Sequence, residues 1–270
     1  MAQQGFVYEE NAYKALLEYN IAAGGPPAGA AHDRPDLEIK PSKDQHDRNK
    51  TGVELKISPT AAGSLVLKYK DGKWYFDDNT KGNQEKEFLI ALAKEYKVLE
   101  NMNTSGSAGR NWRGKVPYLQ NDDRGKKVIV GAKDSREAYE KDLKQFGGQN
   151  EVHIDINPKS IGDYYNKKKT YYMNVGTHGF YTLNSDPLDL NKKIRGSQIP
   201  DFRNSVRARI RVRVQYKGSG SYQFVFTLEF KSPKKSPYNL APVTSSGNVN
   251  IDMGKLESTQ NQPLLEALRL

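Results

Sequence analysis

Apolar positions recur at helical spacing near the start of the chain, where Phe6, Tyr13, Leu16 and Leu17 predict a helix over roughly residues 6–20. GGPPAGAAHDRP follows without any period and reads as a loop. From residue 36 the pattern turns extended. Asp36–Lys40 leads into a polar turn through KDQHDRNK, and Val53, Leu55 and Ile57 then alternate with Glu54, Lys56 and Ser58 over a strand at 52–58. SLVLKYK, residues 64–70, reads as another strand, and DGKWYF as a hairpin turn into a third. Phe88, Ala91, Leu92 and Leu99 mark a second helix over about 83–98.

The region 100–125 is rich in Asn, Gly, Ser and Arg and reads as a long loop. KKVIVGA predicts a short buried strand, residues 135–146 a helix, and EVHIDI a strand that Asn157-Pro158 stops before a short helix through Tyr165. YYMNVGTHGFYTL predicts a hairpin turning at Gly176–Gly179. RARIRVRVQY and SYQFVFTLEF predict a second hairpin around KGSGS. The tail after Ser236 is weakly periodic until a helical QPLLEALRL. The pattern is mixed α/β over residues 1–130 and mostly β over 131–270, as an extension of the same domain or a second one.

A chain of 270 residues can bury one large core or two small ones. No apolar run approaches the roughly 20 residues that span a bilayer, and MAQQGFVYEE lacks an apolar signal core. The expectation is a soluble, cytoplasmic protein with no membrane partner. Lys and Arg number 42 against 32 Asp and Glu, a net charge of +10 that favours polyanionic partners, nucleic acid first. The absence of Cys excludes disulfides and thiolate metal sites. With four His, a metal would rest mainly on carboxylates, which suits a hard cation such as Mg²⁺. No GxxxxGK[ST], GxGxxG or EF-hand pattern occurs, which argues against nucleotide hydrolysis and dinucleotide chemistry.

Glu54 and Lys56 lie two apart on a strand and therefore share a face. A carboxylate beside an ammonium can do complementary work: the first binds a divalent cation, the second orients water or balances phosphate charge. Asp36, after Pro35, is placed to supply a second carboxylate. Pro35-Asp36, a spacer, then Glu54-Leu55-Lys56 resembles the PD-(D/E)XK motif of restriction-endonuclease-like nucleases. The order resembles that family too. There a helix comes first, an antiparallel strand pair carries the Asp and the acidic-x-Lys, and further strands and a helix follow. Helix 6–20, strands 36–40, 52–58 and 64–70 and helix 83–98 fit that order, over about residues 5–100.

The resemblance implies a restriction-endonuclease-like core, a mixed central sheet flanked by helices, with a β-rich C-terminal half. It implies a metal-dependent endonuclease that hydrolyses DNA phosphodiester bonds, of the type II restriction kind. Asp36, Glu54 and Lys56 would be catalytic, and Asp36 and Glu54 would hold Mg²⁺. The family often places a Glu on the first helix near the metal, and Glu9 matches best, with Glu10 second. Symmetric duplex cutting implies a homodimer. Two other readings stay open: a phage or repair nuclease of the same fold acting on branched or single-stranded DNA, and a non-catalytic basic nucleic-acid-binding protein in which Glu54 and Lys56 only pair.

Arg207, Arg209, Arg211 and Arg213 occupy alternate positions, giving one arginine face to a strand. If Tyr216 pairs with Tyr222, Arg209 opposes Glu229 and Arg211 opposes Thr227, and one acid cannot neutralise four arginines. The stripe reads either as a phosphate contact or as a guarded sheet edge. Lys168, in a lysine run flanked by tyrosines, and Arg110 and Arg113 around Trp112 are further DNA-binding candidates, each set against an ordinary exposed position. Ser58, Lys68 and Glu38 are candidate extensions of the site. Glu151, His153 and Asp155 on one strand face read as a metal cluster or a general base, set against a polar outer face.

Overall fold

The computed structural model describes residues 2–23, 25, 27, 34–39, 51–59, 61–77, 83–104, 111–122, 124, 126–131, 133–218, 221–231, 234–244 and 249–269. In chain order the elements are α1 (Ala2–Glu18), β1 (Ala22–Ala23), β2 (Leu37–Ile39), β3 (Thr51–Lys56), β4 (Ala61–Lys70), β5 (Lys73–Phe76), α2 (Gln84–Glu95), α3 (Val98–Asn103), β6 (Leu119–Asn121) and β7 (Lys127–Ile129). There follow α4 (Ser135–Phe146), β8 (Val152–Ile156), α5 (Lys159–Lys167), β9 (Thr170–Val175), β10 (Gly179–Thr182), α6 (Leu190–Lys193), α7 (Phe202–Ser205), β11 (Arg207–Gly218), β12 (Ser221–Lys231), α8 (Met253–Leu256) and α9 (Gln262–Arg269). The class is mixed α and β. Among the described residues no helix is long and apolar enough to cross a membrane.

The chain divides into two compact units that interleave in sequence. The first comprises residues 1–60, 157–207 and 230–270, and the second comprises 61–156 and 208–229. The sequence pattern suggested one cut near residue 130. Local periodicity identifies elements but not which of them share a core, so the return of the chain to the first unit at 157 leaves no local mark.

The first unit is built on a five-stranded sheet in the order β1-β2-β3-β9-β10. β1, β2 and β3 are antiparallel neighbours, β3 and β9 are parallel, and β9 and β10 form an antiparallel hairpin. β3 lies in the middle and is buried from Thr51 to Leu55. A parallel neighbour needs a crossover, and α5 immediately precedes β9. The core gathers Tyr8, Ala12 and Leu16 of α1, Val53 and Leu55 of β3, Tyr172 of β9, and Leu264, Leu265 and Leu268 of α9.

The second unit carries a five-stranded sheet in the order β5-β4-β12-β11-β8. Asp71 and Gly72, at φ 51° and 77°, make the tight turn of the β4–β5 hairpin, as the DG dipeptide predicts. Asn83 caps α2 by accepting from Lys86 N at 3.0 Å, and Asp134 caps α4 by accepting from Glu137 N at 2.7 Å. Trp74, Trp112, Phe146 and Phe224 form an aromatic cluster with centroids 4.7–5.9 Å apart.

Two local expectations change. KKVIVGA is not buried: among the described residues β7 pairs with β6 alone, in a two-stranded ribbon, and Val128, Ile129 and Val130 are exposed at 38%, 39% and 43%. An apolar run resembles a core strand whether or not a second layer covers it. The 100–125 segment holds structure at both ends, with α3 running into its start and β6 near its end, and Trp112 is buried within it, its Nε1 donating to Asn150 O at 2.5 Å.

Candidate active site

Gly52 sets the geometry. A Cβ there would stand 2.5 Å from Pro35 Cβ and 2.7 Å from Lys169 O, so only glycine lets both flanking segments close on β3. Its amide donates to Lys169 O at 3.0 Å. Pro35 carries Asp36 with it, Lys169 carries Lys168, and Glu54 lies two residues along β3. One close approach therefore gathers residues drawn from three segments.

Leu55 N donates to Asp36 Oδ2 at 2.8 Å, which ties the aspartate to the backbone between Glu54 and Lys56. Lys56 Nζ lies 2.6 Å from Glu54 Oε1. Glu54 is 4% exposed. Its Oε1 also accepts from Tyr165 of α5 at 3.3 Å, and its Oε2 meets Lys168 Nζ at 3.4 Å. The strand alternation placed Glu54 and Lys56 on one face, but that face is covered rather than solvated.

Glu9 joins from α1. Next to it, Tyr8 OH donates to Ala241 O at 2.6 Å and accepts from Asn174 Nδ2 at 3.2 Å, fixing the helix phase. Glu9 then interacts electrostatically with Lys56, Glu54 and Lys168, and its Oε2 is buried with no hydrogen-bond partner. Glu10 instead pairs with Lys14 at 2.7 Å on the outer side of the helix. Helix phase alone thus separates the two glutamates, in favour of Glu9.

The charges are unevenly settled. Burial, with repulsion from Glu54 and Glu9, pushes the Asp36 carboxyl up to about 8 despite the attraction of Lys56. Burial pushes Glu9 up to about 7, with Lys56 opposing and Glu54 adding to the rise. Burial acts on Glu54 in the same sense, but Lys56 and Lys168 together outweigh it and hold that carboxyl below its ordinary value. Three carboxylates face two ammonium groups, and two of the three favour protonation.

Among the described residues no three or more His, Asp or Glu side chains close into a ready-made metal cage. Mg²⁺ does not require one, since it keeps several waters and takes one or two carboxylates. The donor set is hard oxygen, is over-rich in negative charge and leaves Glu9 Oε2 orphaned, a combination that fits such a cation.

The other expected site residues are elsewhere. Lys168 is not an exposed phosphate contact: at 7% exposure it is the second cation on Glu54, with its ammonium over the rings of Tyr164 and Tyr165 at 5.7 and 5.5 Å. Lys68 belongs to the second unit, where it pairs with Asp77 at 2.9 Å. Arg113 is exposed on a turn of the second unit, and Arg110 lies outside the described residues. Arg209 pairs with Glu229 at 2.9 Å, as expected, but Arg211 is not left over. It grips Glu151, the residue before β8, through Nε at 2.6 Å and Nη2 at 2.9 Å, and Glu229 through Nη1 at 3.1 Å. β8 pairs with β11, a neighbour that alternation within β11 cannot reveal. Glu151, His153 and Asp155 are accordingly a paired strand face, with His153 Nε2 3.4 Å from Glu151. Arg207 begins β11, and Arg213 has a buried Nε without a partner. Tyr165 was missed as a site residue, because nothing local links it to a strand 111 residues earlier.

Comparison with family models, with curated proteins and with solved structures finds no significant match.

Proposed function

We propose that the protein is a Mg²⁺-dependent nuclease that hydrolyses DNA phosphodiester bonds at Glu9, Asp36, Glu54 and Lys56. The observation that carries this reading is the surplus of buried and half-buried carboxylate around a strand-borne lysine, with one glutamate oxygen unpartnered. Perturbed carboxylates of this kind mark functional sites, since burial with like-charge repulsion costs stability. The element order supports the resemblance to restriction-endonuclease-like nucleases: a first helix, an antiparallel pair with Asp36 just before its first strand and Glu54-x-Lys56 on its second, then a helix and a further strand. The following helix and strand are α5 and β9 rather than residues 83–98 and 64–70, which belong to the second unit.

Mg²⁺, when bound, would polarise the phosphodiester and acidify a water. Asp36 and Glu54 would hold it. Lys56, fixed by Glu54 at 2.6 Å, is a directed donor for the attacking water or a phosphate oxygen. Lys168 and Tyr165 hold the Glu54 carboxylate in one orientation. Glu9, raised to about 7, is suited to accept a proton near neutral pH. The reading expects a cytoplasmic homodimer that cuts duplex DNA.

Plasmid DNA incubated with Mg²⁺ tests it. Wild type should give discrete fragments, and Glu54→Ala and Lys56→Ala should each cut about 10²–10⁴-fold more slowly. A preference for junctions or single strands would move the assignment to the repair-type nuclease. Intact DNA, or variants as active as wild type, would sink the nuclease reading.

A further inference from the structure

A cleft of about 1010 Å³ opens in the first unit. It lies where the parallel pair β3–β9 ends: Gly176 N donates to Lys56 O at 2.8 Å and Thr177 N to Ile57 O at 3.2 Å, and Ile57, Gly176 and Thr177 line the cleft. The carboxyl ends of parallel strands are the usual seat of ligands in α/β sheets. The cleft therefore begins one residue beyond Lys56.

Its lining is cationic. It includes Lys234, Lys235, Lys255 and His178 and, among the described residues, no Asp or Glu. Lys255 is partly engaged by Asp252 at 3.3 Å. Lys234 and Lys235 are exposed, and among the described residues neither meets a carboxylate. The walls are fixed by hydrogen bonds. Asn239 Nδ2 donates to Gly176 O at 2.8 Å, Asn261 Nδ2 to Asn239 O at 3.0 Å, and Tyr181 OH to Lys234 O at 2.7 Å. A volume at the top of the range for small-molecule pockets, about 300–1,000 Å³, on an open surface suits a passing polymer better than an enclosed metabolite. Unpaired lysines on a rigid rim suit its phosphates.

We propose that this cleft seats the sugar–phosphate backbone of the nucleic acid that leads to the cleavage point, with Lys234 and Lys235 as the principal phosphate contacts. This deepens the nuclease reading and rests on it. It also moves substrate grip away from the arginine strand.

Binding and cutting are measured separately. Without Mg²⁺, fluorescence anisotropy follows a short labelled duplex and its single strand across a salt series. The double variant Lys234→Ala/Lys235→Ala should bind about tenfold more weakly, and its slope of log affinity against log salt should be shallower by about 2, one unit per lost phosphate contact. Both side chains are exposed, so its melting temperature should match wild type. Unchanged affinity and slope would overturn the proposal, as would a wild-type protein that binds neither strand form. Wild-type binding that needs the two lysines, together with intact DNA in Mg²⁺, would sustain the cleft while ending the nuclease reading.

Discussion

Two charged clusters sit in the two units, and they are settled in opposite ways. In the second unit, Arg209 and Arg211 face Glu151 and Glu229 in equal number, every guanidinium contact is 3.1 Å or shorter, and the Glu151–Arg211 pair is bidentate. The hydrogen bond to Glu151, above all, raises the already high pKa of Arg211, and burial together with Arg209 lowers that of His153. Those two arginines leave little on Glu151 and Glu229 for a ligand to satisfy, and the unmet group on that strand face is a cation, the partnerless buried Nε of Arg213. In the first unit Glu9, Asp36 and Glu54 outnumber Lys56 and Lys168, two of the carboxyls are pushed upward, and Glu9 Oε2 has no partner. Charge density does not distinguish the clusters, because both are dense. Unmet electrostatic demand does, and it is what a cation or a proton can relieve.

The comparison breaks most visibly under mutation. Arg211→Met removes the bidentate partner of Glu151, about nine-tenths buried in the second unit, while Glu229 keeps Arg209. It should destabilise the protein by about 2–3 kcal/mol, since removing one partner leaves a buried charge uncompensated. The rate of DNA cutting under saturating substrate should not change. Denaturant titration and a plasmid assay read both, and a stable Arg211→Met protein would show that the arginine network is not structurally closed. Asp36→Asn should do the reverse. The amide keeps an oxygen for Leu55 N while removing a carboxylate that burial and Glu54 disfavour. Stability in chelator should rise by about 1–2 kcal/mol as cutting is lost, the usual trade at a strained functional site. A less stable Asp36→Asn protein would mean that the carboxylate cluster is structural after all.

How much of this was legible differs by scale. The alternation of Val53, Leu55 and Ile57 placed Glu54 and Lys56 together, because period and side-chain direction are local properties. The hairpins β4–β5 and β9–β10 were legible for the same reason. The face of α1 was only half legible, since Tyr13 and Leu16 pack on the core while Phe6 and Leu17 are exposed. What could not be read is which elements meet. Helix 83–98 and strand 64–70 follow β3 in sequence and fit the resemblance, yet the second unit holds them, and Lys168 and Tyr165 arrive more than a hundred residues later. Gly52 was a local sign of a close approach. Its meaning depends on Pro35 and Lys169, whose proximity to β3 no periodicity encodes.

The smallest expected effect is a pH dependence confined to the first cluster. Unfolded carboxylates titrate near pH 4, whereas native Glu9 and Asp36 titrate at about 7 and about 8. The native state therefore holds more protons between about pH 4 and about pH 8, and this part of its stability is lost as pH rises through that window. Glu54 contributes with the other sign. Burial raises it, but Lys56 and Lys168 hold it low overall, so its contribution is present at neutral pH and is lost only in acid. Mg²⁺ binds the deprotonated carboxylates and must displace the protons at lower pH. Its stabilisation, about 2.7 kcal/mol at a hundredfold excess over the dissociation constant, should emerge in full near about pH 8.5 and shrink by about 1 kcal/mol or more near about pH 6. Thermal melts with Mg²⁺ and with chelator at the two pH values measure it. Asp36→Asn should flatten the difference, because it removes the carboxylate that titrates highest, while Arg211→Met should leave it intact. Equal Mg²⁺ shifts at both pH values would show that the raised carboxyls are not where the cation binds.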